Sequence, residues 1–380
     1  MDRSAEPATE AAAARVAEAF ALGEGAPRAE RFGSGHIHDT FAVALGAPPH
    51  ARRWVLQRVH TGIFRNPEAL MQNLARVTAH LGVRLTRAAR AGDRRRALAL
   101  VPARDGRTFH RDAAGGFWRC FERIEGAHAI DRVEHPRQAF AAARAFGDFL
   151  AALADLPGPP LVEVIPHFHD FPRRQAALEA VLREDANGRA AAVAAEAERA
   201  RATAERLRRA LAAAGARDLP RRVVHNDCKV NNVLLDDRTG DGICVIDLDT
   251  VMDGTALADF GDLARTAACT SDEDERDLER IHFDLARFEA LARGYLEGAG
   301  PALSPAEVHA LPLAGPLLAL ENAVRFLADH VAGDVYFRIH RPGHNLDRAR
   351  AQLRLAERML AASDEAAGAL RRAAGARGRA

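Results

Sequence analysis

The sequence predicts an α+β chain of two lobes: a small antiparallel sheet with one crossing helix, then a larger and mainly helical lobe. Three observations predict it. The first ~125 residues carry short alternating apolar strands broken by turns. From Arg137 onward the apolar residues recur at helical spacing. One strand island, Arg222 to Asp249, interrupts that helical part.

The elements follow in order. Arg31 to Val43 holds two close glycines and then alternating Ile37, Phe41 and Val43. Gly46-Ala47-Pro48-Pro49 makes a turn, and Trp54 to Val59 a second strand. Asn66-Pro67-Glu68 opens the crossing helix, with Asn66 as N-cap and Pro67 at the first helical position. Leu70, Leu74, Val77 and Leu81 form its apolar stripe. Leu98 to Val101 and Phe117 to Ile124 supply further strand, with a turn at Gly115-Gly116. Arg137 to Leu153 is an amphipathic helix ended by Pro157-Gly158-Pro159-Pro160. Arg173 to Gly215 reads as a solvated helical hairpin broken at Asp185-Ala186-Asn187-Gly188. The expected divisions are 1–124, 125–362 and a flexible tail at 363–380.

Composition narrows the function. The 380 residues carry 53 Lys+Arg against 52 Asp+Glu, a net charge of +1. That balance argues against a nucleic-acid or anionic-membrane binder. A single lysine, Lys229, survives; every other basic residue is arginine. Arginine replaces lysine where charge alone matters, so the survivor marks a place where chemistry needs an ammonium. Cys120, Cys228, Cys244 and Cys269 are scattered without a CxxC pair, which fits a reducing cytoplasm. The polar N-terminus has no apolar signal region, and no run reads as a membrane span. Oligomeric state is left open.

The chemistry concentrates in the strand island. Val223-Val224-His225-Asn226-Asp227-Cys228-Lys229-Val230-Asn231-Asn232 leads into Val233-Leu234-Leu235, and after a turn come Ile243-Cys244-Val245-Ile246-Asp247-Leu248-Asp249. The two apolar runs predict a hairpin with Asn232 and Asp247 at its open end. An amide oxygen and a carboxylate are hard ligands suited to Mg²⁺. Asp227 stands on the feeding loop, with Lys229 between it and Asn232.

His225-x-Asp227, with Asn232 five residues on and Asp247 past a hairpin, resembles the catalytic loop and metal strand of the protein-kinase-like fold. The resemblance implies that Asp227 receives the proton of an acceptor hydroxyl. It implies that Asn232 and Asp247 hold Mg²⁺ and that Lys229 steadies the transferring phosphoryl group. Asp259-Phe260-Gly261 spells a kinase metal motif but follows no strand, so Asp259 and Asp262 are expected to cap a helix or fix a loop. Gly33-Ser34-Gly35-His36 would cover the phosphates of ATP. Such folds carry a lysine on the following strand; here Gln57 and Arg58 stand there instead. Either would hold the phosphates, or Mg²⁺ and Lys229 would carry more of the charge. Phe121 and Ile124 would line the adenine.

More widely, residues 30 to 355 resemble the aminoglycoside phosphotransferase/choline kinase-like family and within it the N-acetylhexosamine 1-kinases. The likeness rests on Gly33 to Thr40, Trp54 to Val59, Leu70 to Leu81, Phe168-His169-Asp170, His225 to Leu235 and Val245 to Gly254. Near the C-terminus it rests on Glu321 to His330 and Gly333 to Phe337. His38 stands where the pattern expects Asn. The resemblance implies transfer of the ATP γ-phosphoryl group to the anomeric hydroxyl of an N-acetylated sugar. Asn226, Asp249, Arg325, Asp329 and Tyr336 are the candidate sugar contacts. His167 and His169 form an HxH pair without a nearby third metal ligand; His340 and His344 have no expected role. Two other readings stand beside this one. The acceptor could be an aminoglycoside, choline or another amino alcohol, although few aromatic residues are available for a cationic cup. Or the chain could be a nucleotide-binding pseudokinase, for which the empty lysine position argues.

Overall fold

The computed structural model describes residues 7–33, 37–88, 93–216 and 218–377. The chain forms two compact units. The first comprises Met1–Ala127, Asp155–Pro166 and Cys244–Met252; the second comprises His128–Ala154, His167–Ile243 and Asp253–Ala380.

In the first unit, helix α1 (Glu10–Ala17) precedes strands β1 (Arg28–Arg31), β2 (Asp39–Leu45) and β3 (Arg52–Arg58). Then come helix α2 (Pro67–Ala88) and strands β4 (Leu100–Val101), β5 (His110–Arg111) and β6 (Phe117–Glu122). The sheet runs β1-β2-β3-β6-β4, with β5 also on β6. Each of these pairs is antiparallel, with Val43 opposite Trp54 and Leu56 opposite Cys120. Alternation puts Phe41, Val43, Trp54, Leu56, Trp118 and Cys120 into one core with Ala13, Val16 and Phe20. Asn66 caps α2 as expected, its Oδ1 accepting the Ala69 N–H at 3.1 Å. Asn73 of α2 then grips the backbone of Val162 on both sides, at 2.8 and 3.0 Å. Arg76 donates to the carbonyls of Pro157 and Pro159. These four bonds tie residues 155–166 to the sheet unit, although they follow a long helix in sequence.

Strand β7 (Ala127–His128) lies where the chain leaves the first unit. The second unit holds α3 (Pro136–Leu153), α4 (Phe171–Glu184), α5 (Ala194–Ala213), the strands β8 (Arg222–Val224), β9 (Val233–Asp236), β10 (Gly242–Val245) and β11 (Met252–Gly254), and α6 (Ala256–Ala267). It continues with α7 (Leu285–Ala299), α8 (Pro305–Ala310), α9 (Ala314–Val331), α10 (His344–Ala361) and α11 (Ser363–Arg377). Strands β10 and β11 run across the divide. The expected hairpin is present, β9 pairing with β10. Its turn is pinned by Asp236, whose Oδ1 accepts the N–H groups of Arg238 and Thr239.

Helices α3 and α7 approach so closely that only glycine fits between them. A Cβ on Gly294 would lie 2.2 Å from the Phe140 carbonyl oxygen, and one on Gly298 2.3 Å from that of Arg144. The stretch Pro305–Val331 has the length and apolarity to cross a membrane, yet 89% of its most apolar window is buried inside the protein. It is the spine of this unit's core. Residues 363–377, expected as a tail, form α11. Ala366, Ala369, Leu370 and Ala373 recur at helical spacing and are buried, and Arg372 pairs with Glu289 of α7.

Candidate active site

The loop after β8 is fixed from three directions within the second unit. His225 is fully buried with its ring edge-on to Phe146 and Phe149 of α3, at 5.4 and 5.7 Å between centroids. Asp259 of α6 accepts the backbone N–H groups of His225 at 3.0 Å and Asn226 at 2.7 Å. Asp259 is therefore a loop-fixing acid, as its position outside any strand suggested. Burial holds its pKa above the ordinary value despite those donors. Asn226 adopts a left-handed conformation, φ 65°, and its carbonyl accepts from His169 Nε2 at 2.8 Å. His169 Nδ1 lies 3.0 Å from Glu321 Oε1 on α9. A carbonyl and a carboxylate both accept, so both ring nitrogens carry protons and His169 is an imidazolium. Burial opposes that charge, but the Glu321 carboxylate outweighs it and raises the His169 pKa.

This frame presents three polar side chains together. Lys229 Nζ lies 2.7 Å from Asp227 Oδ1. Asn232, at the end of a 3-10 turn over Val230–Asn232, donates through Nδ2 to the Asp227 carbonyl at 2.9 Å and to its Oδ2 at 3.2 Å. The Asp227 N–H donates to His225 Nδ1 at 3.2 Å. Burial pushes the Asp227 carboxyl upward, but the Lys229 charge and hydrogen bond prevail and hold it below the usual carboxylate range. The same charge, against burial, raises the Lys229 pKa. Lys229 keeps 42% of its side chain exposed and Asp227 26%, so the ion pair is open to a reactant.

The first unit carries the other candidates. Gln57 on β3 sits opposite Arg119 on β6. Its Oε1 accepts from Arg119 Nε at 2.9 Å, and its Nε2 donates to Thr40 Oγ1 at 3.2 Å. The Arg119 guanidinium forks onto both oxygens of Asp249, Nη2 to Oδ2 at 2.9 Å. His38 Nε2 reaches Asp249 Oδ2 at 2.6 Å, while His38 Nδ1 accepts the His60 N–H at 3.0 Å. That fixes the hydrogen on Nε2. Burial would raise the Asp249 pKa, but Arg119 and then His38 hold it far below the carboxylate range. Arg58 pairs with Asp39 at 2.6 Å. Phe121 is buried with the Arg119 guanidinium 5.3 Å over its ring, and Ile124 is half-buried just past β6. Gly33 takes φ 79°, a left-handed angle that a side chain would resist; Ser34, Gly35 and His36 lie outside the described residues. Asp247 is left-handed too (φ 58°, ψ 58°), immediately before a 3-10 turn at Leu248–Thr250.

Among the remaining candidates, Asp329 anchors a turn. Its two oxygens accept the N–H groups of Val335, Tyr336 and Phe337 and the amide of Asn345. Arg325 lies 5.2 Å over the Phe337 ring and donates to Asn322, and Tyr336 is 52% exposed. His344 reaches Asp274 at 2.9 Å and accepts the His340 N–H. Among the described residues no three His, Cys, Asp or Glu side chains cluster to hold a metal.

Sequence reasoning missed Arg119 and the bridging role of His169. A signal for Arg119 was present: one charge inside the apolar strand Phe-Trp-Arg-Cys-Phe requires a buried partner.

Several solved structures resemble this chain. A microcompartment-associated aminopropanol kinase has a similar structure, with TM-score 0.58 and 19% identity over 92% of this chain and 97% of its own. A spectinomycin phosphotransferase solved with ADP and spectinomycin matches with TM-score 0.54 and 10% identity, over 95% and 100%. An aminoglycoside phosphotransferase of Alicyclobacillus acidocaldarius matches with TM-score 0.54 and 14% identity, over 97% and 98%. At these identities the likeness establishes a common fold, the protein-kinase-like fold of such phosphotransferases. The sequence pattern of the phosphotransferase enzyme family matches residues 28–301, which include the sheet, the loop with Asp227, Lys229 and Asn232, and the strand leading to Asp247. The chain accordingly belongs to the phosphotransferase enzyme family.

Proposed function

We propose that the protein transfers the γ-phosphoryl group of ATP to a hydroxyl of a sugar, with the anomeric hydroxyl of an N-acetylhexosamine or a related sugar as acceptor. The observation that carries transfer to a hydroxyl is the Asp227–Lys229–Asn232 arrangement, a depressed carboxylate paired with the only ammonium side chain, while the sugar rests on the resemblance of residues 30 to 355. Asp227 orients the acceptor hydroxyl and takes its proton as the oxygen–phosphorus bond forms and the bond to the ADP oxygen breaks. Lys229 sits beside that carboxylate, where a compact cation meets the charge of the moving phosphoryl group. Asn232 and Asp247 each offer a hard oxygen, and these donors fit Mg²⁺, which would draw charge from the phosphate oxygens when bound. For the nucleotide, the candidates are the turn at Gly33, Gln57 and Arg58 on β3, Phe121 on β6 and Ile124 just past it. Gln57 and Arg58 are already engaged by Arg119 and Asp39.

An aminoglycoside, choline or another amino alcohol is the alternative acceptor for the same transfer.

The test is Mg²⁺-dependent ADP release with N-acetylhexosamines, hexoses, choline, aminopropanol and aminoglycosides. Turnover on the sugars supports the reading. Turnover confined to the cationic acceptors replaces it, and no turnover by the wild type on any acceptor favours a nucleotide-binding protein without transferase chemistry.

A further inference from the structure

The sheet of the first unit carries a polar row beside an apolar one. Phe41, Leu56 and Cys120 face one another across β2, β3 and β6 and belong to the core shared with α1. One residue along, strand alternation turns Thr40, Gln57 and Arg119 to the opposite face, again side by side. That row is hydrogen-bonded from end to end, Gln57 donating to Thr40 and accepting from Arg119. The Arg119 guanidinium then takes both oxygens of Asp249, and His38 holds the same carboxylate at 2.6 Å. His38 is fixed in turn: its Nδ1 accepts the His60 N–H, and its ring lies 5.5 Å from that of Phe64. Arg119 and Asp249 are each 2% exposed, and the His38 side chain 7%. Asp249 is the middle residue of the buried 3-10 turn Leu248–Thr250. Asp247 immediately precedes that turn in a left-handed conformation, which a residue with a Cβ keeps only where its surroundings impose it. The grip on Asp249, two positions on, clamps the turn to the sheet and so imposes the backbone of Asp247.

We infer that Arg119 and His38 are positioning residues: by holding Asp249 against the sheet they fix Asp247 in the conformation from which it offers an oxygen to Mg²⁺. This rests on the reading of Asp247 as a Mg²⁺ donor and gives Asp249 the role of its anchor. A planar guanidinium suits the task, because its fork meets both carboxylate oxygens and leaves Nε for Gln57. His38 adds a second direction, so the Asp249 side chain cannot swing about the Arg119 contact. Groups that orient a metal ligand in this way act on metal affinity without touching the metal.

The experiment measures ATP binding to the full chain by calorimetry, once with Mg²⁺ and once with EDTA; the ratio of the two affinities isolates the metal. Asp247→Asn should lower that ratio, which checks the donor itself. Arg119→Met combined with Asp249→Leu replaces the ion pair by apolar groups that fill the buried space, so the fold persists without the clamp. The ratio should fall by about tenfold or more in this paired variant, the scale for losing a group that orients a metal ligand. His38→Leu should lower it in the same direction and decides the matter if the paired variant fails to fold. His38→Gln should restore it, because its amide can donate to Asp249 and accept the His60 N–H. General damage to the sheet would weaken both affinities alike and leave the ratio unchanged. A wild-type ratio in the paired variant or in His38→Leu, or one as low in His38→Gln as in His38→Leu, would overturn the inference while the reading of Asp247 stands. A ratio that Asp247→Asn leaves unchanged would overturn both.

Discussion

The only ammonium side chain of the protein, Lys229, lies 2.7 Å from Asp227 on the loop after β8. If the pair works at phosphoryl transfer as proposed, it accounts for one lysine in a chain that uses arginine everywhere else. A compact ammonium can contact the carboxylate and an approaching phosphoryl oxygen at once; a planar guanidinium cannot occupy the same volume. Lys229→Arg retains the charge and should still lose turnover by about 10²-fold, comparable to removing one preorganised donor. Steady-state ADP release measures it, and a normal rate would separate the lysine from the chemistry.

The same pair sets a pH dependence. Lys229 holds Asp227 below its ordinary pKa of 3.8, so Asp227 stays ionised until the pH falls beneath that value. In Lys229→Met the largest pull against burial is gone, the weaker ones of His225 and Arg265 remain, and the carboxyl titrates higher. The acid limb of kcat/KM should therefore move to higher pH in the variant. A limb that does not move would mean that another group controls it.

Asp227→Asn keeps the shape and removes the proton acceptor. We expect kcat to fall by about 10²–10⁴-fold, the range of general-base contributions, with nucleotide affinity nearly intact. Equilibrium binding of ATP alongside turnover separates these effects; a fully active variant would refute the role.

Arg119→Ala strands the buried Asp249 carboxylate without its guanidinium. Breaking such a pair costs about 3–5 kcal/mol, and denaturant unfolding should show it. Asp249 has a depressed pKa in the folded state, so this stabilisation is complete above the unfolded carboxyl pKa and disappears as the pH falls below it. A double variant with Asp249→Asn should recover part of the loss, which distinguishes the pair from general damage to β6.

His169→Gln tests the strut behind the loop. Its pKa is raised above 6.5 by Glu321, so the charged link is complete below pH 6.5 and weakens as the pH climbs through the raised value. Wild-type stability should decline along that basic limb, and the glutamine variant should show no such limb in thermal unfolding followed against pH.

Much of the fold was legible because it is written in local pattern. The α2 stripe, its Asn66 cap and the hairpin of β9 and β10 each depend on residues near in sequence. The loop residues were legible because spacing alone defines them. What escaped depends on distant partners. Gln57, expected as a phosphate donor, is also held through its oxygen by Arg119, 62 positions on. The partners of Asp249 and Asp329, expected as sugar contacts, are equally distant: Arg119 with His38, and a backbone turn with Asn345. The Ala-Arg-Gly segment of α11 looked like a tail because small residues bury little area each. Its order comes from a register of four buried positions against neighbouring helices.

The proposed phosphorylation of a sugar's anomeric hydroxyl by the Asp227 loop has a direct test. The most direct measurement compares ADP release on a free N-acetylhexosamine with release on its methyl glycoside, whose anomeric oxygen is blocked. Turnover is expected on the free sugar and none above background on the glycoside. Equal turnover on both would contradict it.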